Sequence, residues 1–329
     1  MTEIGQQPGV NPLGDTEAAA SGSLLTPGPP AGGESTAEAG LELKARSQWS
    51  YARTRFLRHR LAVASLAVLI VIFGVGVFAN YIAPYSYSAI DLNHTLQAPT
   101  TVAHHYFGTD GLGEDYFSRV IWGIRTSLEV GVFVAVVSSL LGLVIGALAG
   151  YYKGLLDNFL MRITDLVLTL PALAILLTAS ALWGSGNQWR VSLILVLFFW
   201  TGIARIVRGV FLSLREKEYV EAAKASGAGD LRLMFRHILP NTLGPIIVSG
   251  TLAVATAILT EAALSFLGEG IKPPTPSLGA LVAGGESYPQ QWWLTVFPGL
   301  TIVLIVLCVN FVGAGLRDAL DPTQRRVRA

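Results

Sequence analysis

Apolar residues gather into six runs along this chain, at 61–82, 126–150, 163–183, 191–211, 242–267 and 293–316. Each is close to the roughly 20 residues a helix needs to cross a bilayer, so the pattern predicts an all-α integral membrane protein with six transmembrane helices. The polar stretches between the runs differ in kind. Residues 83–125 and 268–292 form sizeable connections, the second stiffened by Pro273, Pro274, Pro276 and Pro289. Residues 47–60 make a basic lead-in to the first run, and residues 317–329 make a basic tail. Residues 1–46 are rich in Gly, Pro, Ala, Ser and Glu and have no apolar period. Such a segment buries too little surface to offset its ordering entropy, which predicts disorder, and it lacks the basic start and apolar centre of a cleavable signal peptide.

Composition agrees with the pattern: 52% of the 329 residues are hydrophobic and 14% are charged, against about 25% charged in an ordinary soluble domain. The net charge of +1 gives no reason to expect a nucleic-acid partner. Its distribution is more telling. With the N-terminus placed inside, all but four of the 23 Lys and Arg fall on inner segments, the exceptions being Arg119, Arg125, Arg190 and Lys272. Basic residues are retained on the cytoplasmic side of short loops, so both termini and residues 212–241 are expected there. The lone Cys308 lies in an apolar run and reads as a buried apolar side chain.

Within the runs, Gly142, Gly146 and Gly150 share one helix face and suit close packing against another helix of the same chain. Pro171 and Pro298 remove helical hydrogen bonds and predict kinks. Asp165 is expected to pair locally with Arg162, and Glu129 and Arg205 to sit near helix ends. Glu261 lies deeper, and with Pro171 and Pro298 it is a candidate for the solute pathway. Trp183, Trp189, Trp292 and Trp293 are placed as interfacial anchors. No phosphate-binding loop, zinc motif or nucleophile signature occurs. His94, His104 and His105, among Asp91, Asp110, Glu114 and Asp115, read as solvated loop residues rather than a metal site.

Residues 218–241, EYVEAAKASGAGDLRLMFRHILPN, predict a short helix, a turn at Gly227 and a second helix stopped near Leu239 and Pro240. Glu221, Ala222 and Ala223, then Gly227, then Leu239 and Pro240 resemble the EAA loop of ABC-importer permeases. Further segments strengthen the likeness: FGTDGLGEDYFSRVIWGIRTSL (107–128), AGYYKGLLDNFLMRITD (149–165), LSFLGEGIKPPTPSLG (264–279), WWLTVFPGL (292–300) and GLRDALDP (315–322). Together they resemble the second permease subunit of dipeptide and oligopeptide importers over residues 50–322. Two positions depart from that pattern. His237 stands where an aliphatic residue is usual, and Glu269 where an apolar one is common.

The resemblance implies a type I ABC-importer permease (MetI-like) fold. It implies a heterodimer with a second permease subunit, two cytoplasmic ATPase subunits or one fused ATPase, an extracytoplasmic substrate-binding protein, and residence in the bacterial plasma membrane. ATP and Mg would be bound by the partner ATPases, with no cofactor in this chain and no catalytic residue. In that scheme the EAA helix docks on an ATPase: Ala222 and Ala223 allow close approach and Glu221 and Lys224 supply rim charges. Gly227 relaxes the turn, Asp230 caps the second helix, and Pro240 marks where the span begins. Related permeases carry nickel or other small solutes. A secondary transporter or channel working without ATP, and more distantly a membrane enzyme, are the readings from other classes.

Overall fold

A computed structural model describes residues 48–101, 104–184 and 186–320. The predicted disordered tail lies outside the described residues, as do residues 321–329. The regular structure described is helical, in the order α1 (Gln48–Arg58), α2 (Arg60–Val77), α3 (Ala79–Ile82), α4 (Tyr116–Tyr152), α5 (Gly154–Thr169), α6 (Ala172–Trp183), α7 (Gln188–Arg215), α8 (Glu218–Ala225), α9 (Asp230–Arg232), α10 (Leu239–Phe266), α11 (Leu278–Glu286) and α12 (Trp293–Leu320).

Among the described residues, five helices are long and apolar enough to span a membrane: α2, α4, α7, α12 and the continuous stretch Asp230–Phe266 that contains α9 and α10. The third predicted span differs from expectation. It is not a kinked helix over 163–183 but two helices, α5 and α6, bent by 86° at the break. Leu170 is extended, with φ −73° and ψ 142°, the conformation a following proline imposes, and Pro171 has no N–H to continue the ladder. Pro298, by contrast, stays inside α12 and is buried.

Side-chain caps start two helices ahead of their apolar runs. Asp115 starts α4 by accepting from Ser118 N at 2.8 Å, ten residues before the predicted boundary, and Asn187 starts α7 by accepting from Trp189 N at 2.9 Å. Hydropathy marks the part of a helix that lies in lipid, whereas caps mark its ends.

The glycine face of α4 packs against α7 of the same chain, as expected. A Cβ on Gly142 would stand 2.8 Å from Ile203 Cβ, on Gly146 2.4 Å from Ala204 O, and on Gly150 2.7 Å from Phe211 Cβ. Ionic pairs then fasten α5 to α7. Arg208 holds Asp157 through two bonds of 2.5 and 2.7 Å, and Asp165 pairs with Arg205 at 2.5 Å rather than with Arg162. Glu129 accepts from Arg125 at 2.9 Å and from Gln188 at 2.8 Å.

Trp183, Trp189 and Trp292 are exposed, consistent with interfacial anchoring, but Trp293 is buried and donates to Thr109 O at 3.4 Å. Cys308 is buried. His105 is also buried rather than solvated, stacked on Tyr85 and bonded to Asp115 at 2.9 Å. Among the described residues no group of His, Cys, Asp and Glu is arranged to hold a metal ion.

Candidate functional site: the segment between α7 and α10

The segment begins where α7 leaves the bundle. Its last turn is anchored by Arg215, which donates to the Tyr151 carbonyl at the end of α4 and lies 5.4 Å from the Tyr151 ring centre. Glu216 and Lys153 pair at 2.7 Å, and that bond holds the exposed Glu216 carboxyl below its ordinary range.

α8 follows after Lys217. Glu218 and Glu221 stand in its first turn and Lys224 in its last, each sign matched to the helix dipole. One side chain carries its attachment to the bundle. Val220 is buried in a cluster with Tyr151, Val207, Phe211, Leu233 and Ile238, and Ala223 packs on the edge of that cluster. The remaining face, comprising Glu218, Glu221, Ala222 and Ala225, is exposed. A helix this short is marginal by itself, so α8 depends on Val220 below and presents a shallow, small-residue face above.

The turn is a Schellman closure. Ala228 N donates to Ala223 O at 3.1 Å and Gly227 N to Lys224 O at 3.0 Å, with Gly227 at φ +81°. Asp230 does not cap the next helix, which corrects the expected role. Its predecessor Gly229 occupies the cap position and no side chain caps the end. Asp230 instead accepts from Tyr151 OH at 2.7 Å, which ties the turn to the end of α4.

Pro240 does not open the span either. The helix is continuous from Asp230, and the proline sits in the first turn of α10, immediately after a π-helical stretch, Leu233–Ile238. The wider π turn accommodates the ring where it would strike the carbonyl four residues back, at Arg236. Leu239 is half-buried against the Val220 cluster. Glu221, Ala222, Ala223, Lys224, Gly227, Asp230, Leu239 and Pro240 thus fall in one contiguous element. Sequence reading missed Val220 and Tyr151. The signal for Val220 was present as the only aliphatic β-branched residue in α8, but nothing local pointed to Tyr151, 79 residues from Asp230.

The three pathway candidates stand in different settings. Pro171 is exposed at the α5–α6 break and Pro298 is buried in α12. Glu261 has no exposed surface and is enclosed by serines rather than facing an open channel.

At the opposite end of the bundle, Asp110 and Glu114 share Arg119. Burial raises the Glu114 carboxyl to about 7 against the pull of that guanidinium. Tyr116 OH donates toward Leu281 O and Leu294 O, at 2.8 and 2.7 Å, joining α4 to α11 and α12.

The family model for a binding-protein-dependent transport system inner membrane component matches residues 142–326, and that for the N-terminal TM domain of oligopeptide transport permease C matches residues 47–99. The oligopeptide transport system permease protein OppC of Mycobacterium bovis is 41% identical over 276 residues, covering 83% of this chain and 94% of its own. Its counterpart in Haemophilus influenzae is 39% identical, covering 87% and 92%. The dipeptide transport system permease protein DppC of Alkalihalophilus pseudofirmus is 38% identical, covering 85% and 91%. Among solved structures, a chain of the MetNI methionine ABC transporter in inward facing conformations is similar in fold, with a TM-score of 0.52 at 18% identity, covering 62% of this chain and 96% of that one.

Proposed function

The chain belongs to the family of binding-protein-dependent transport system inner membrane components, multi-pass proteins of the bacterial inner membrane, and from that premise we propose that it forms half of the path of an ATP-driven importer of di- and oligopeptides. Its relatives' names supply the substrate class. The other half is a second permease subunit, and an extracytoplasmic binding protein delivers the peptide. Two cytoplasmic ATPases, or one fused ATPase, bind ATP and Mg and do the hydrolysis.

The observation that carries the coupling role is α8. It offers Ala222 and Ala225 uncovered beside the charges of Glu218, Glu221 and Lys224, and it is pinned to the bundle through Val220 and, past the turn, through Asp230 on Tyr151. A partner groove that closes over that face moves α8, and the pins pass the displacement to α4 and α10. The chain switches between two arrangements that ATP binding biases. The side of the membrane on which α8 lies rests on the charge asymmetry.

The deciding experiment purifies the chain with its co-expressed neighbours, reconstitutes the assembly and measures ATP-dependent uptake of labelled peptides against nickel. Peptide uptake that requires all subunits supports the reading. Transport by this chain alone, or uptake of nickel without peptides, refutes it. Ala222→Arg is expected to abolish co-purification of the ATPase while leaving membrane insertion intact.

A further inference from the structure

Glu261 lies in a membrane-spanning helix and has no exposed surface, a setting in which an ionisable group requires partners. Three hydroxyls supply them. Ser265, one turn along α10, donates to its carboxylate at 2.7 Å, Ser127 of α4 donates at 3.4 Å, and Ser277, just before α11, also bonds to it. Each hydroxyl oxygen accepts a backbone N–H in turn: Ser265 from Ile271 at 3.2 Å, Ser127 from Leu278 at 3.3 Å, and Ser277 from Ala280 at 3.2 Å.

A serine has a single hydrogen to give. Carboxyl oxygens, which accept, let all three serines point that hydrogen inward while their own oxygens hold the loop. Packing supports the same contact. A Cβ on Gly270 would stand 2.0 Å from Ser265 Oγ, one on Gly279 2.4 Å from Ala262 Cα, and one on Gly123 3.2 Å from Leu278 N. The connection between α10 and α11 therefore lies directly on α10 and α4.

We propose that Glu261 is a positioning residue that clamps residues 267–277 and the start of α11 to α4 and α10, so that movement of α8 reaches the far mouth of the bundle as one rigid displacement. The helix that links the two ends is continuous over Asp230–Phe266, 37 residues, about 55 Å at 1.5 Å per residue. The Gly227 turn stands at one end, and Glu261 stands about a turn and a half from the other. A connection held only at its ends follows such a rod loosely. One held by three hydroxyl relays follows it closely. What the displacement accomplishes rests on the transport reading above, whereas the clamp rests on geometry alone.

The test uses the assembled complex in lipid nanodiscs and compares wild type, Glu261→Gln and Ser277→Ala. An amide substitutes a donor for an acceptor and leaves a buried hydroxyl hydrogen unpaired, so amide exchange of residues 268–281 should quicken by about tenfold or more in Glu261→Gln. Peptide uptake velocity should fall by about tenfold, with KM for the loaded binding protein within about twofold of wild type and ATP hydrolysis retained, the signature of a lost positioning interaction rather than lost binding. Ser277→Ala, which removes one relay, should give the intermediate result if Glu261→Gln fails to assemble. Unchanged exchange in an assembled variant overturns the clamp, and faster exchange with wild-type uptake overturns its positioning role. Wild-type complex that takes up no peptide is a failure of the transport reading instead, and the exchange comparison still decides the clamp.

Discussion

Replacing Gly227 by valine tests the coupling segment at the point where its geometry is least replaceable. Gly227 stands at φ +81° with no heavy atom within 4 Å of where its Cβ would be, so any penalty comes from the backbone and not from a clash. A left-handed residue other than glycine costs about 1–2 kcal/mol, and a β-branched one falls at the upper end because its χ1 is restricted as well. That cost acts on a closure made of two hydrogen bonds, at 3.0 and 3.1 Å. It lowers the population of the closed turn by about 5–30-fold. Gly229 is the internal control: it also has open space around it but sits at φ −72°, where alanine is unstrained. The assay is the ratio of peptide imported to ATP hydrolysed in reconstituted complexes. Gly227→Val should lower it several-fold, Gly227→Asp less, because aspartate tolerates the left-handed region better, and Gly229→Ala should leave it unchanged. Equal effects at 227 and 229, or a normal ratio in Gly227→Val, would refute the assignment of the turn as the transmitting element.

Three further outcomes follow from the packing. In Pro171→Ala the gain of about 3 kcal/mol in helix propensity opposes the anchoring of each half: Asp157 on Arg208, the buried Leu176, and Ser180 on the Glu269 carbonyl. These anchors are together worth more, roughly 4–6 kcal/mol. The bend should persist, with spin labels at Leu155 and Leu182 about 30 Å apart, and a straightened helix would place them about 40 Å apart. Gly146→Ala forces a methyl to 2.4 Å from the Ala204 carbonyl and should lower thermal stability by about 1–3 kcal/mol, whereas Gly202→Ala, which meets nothing within 4 Å, should leave it unchanged or raise it. Glu114 is raised by burial, so its folded pKa exceeds the unfolded value. Its contribution is full below about 4.5 and is lost as pH rises through about 7. The difference in melting temperature between pH 5 and pH 8 should therefore narrow in Glu114→Gln, and an unchanged difference would count against the assignment.

What was legible in the sequence is what depends on local pattern. Apolar runs located the spans because hydrocarbon imposes its requirement residue by residue. The glycine spacing on α4 identified a packing face, and Gly227 identified a turn, because each is decided by a single residue type. Roles that depend on a distant partner were not legible. Asp230 has the composition of a helix cap, and at that position capping is the local optimum. It bonds to Tyr151 because α4 ends beside it, a fact written 79 residues away. Asp165 likewise prefers Arg205, across the bundle, to Arg162, one turn away. The Pro171 break exceeded a kink for the same reason: a proline permits a bend of any size, and the anchors on the two sides set it at 86°.

Pro240 carries this distinction into mechanism. Were it the start of the span, α8 and the membrane helix would be joined by a flexible stop, and movement of one would be absorbed before reaching the other. Because the π stretch Leu233–Ile238 absorbs the proline instead, the helix runs as one piece from Asp230 to Phe266, through the interior Pro245. The cost of breaking helical hydrogen bonds, about 3 kcal/mol or more at an interior proline, is moved into a wider turn beside the Val220 cluster, where Leu233, Met234 and Ile238 are buried. Continuity of the rod and burial of its base are thus one arrangement, and the reading of α8 as a transmitting element depends on both. Pro240→Ala should relieve the demand for the π turn and let Leu233–Ile238 revert toward α geometry. That reversion rotates Met234 and Ile238 relative to Val220, so the variant should weaken ATPase coupling even though it removes a helix breaker. A variant more stable than wild type with unchanged coupling would show that the π turn is incidental.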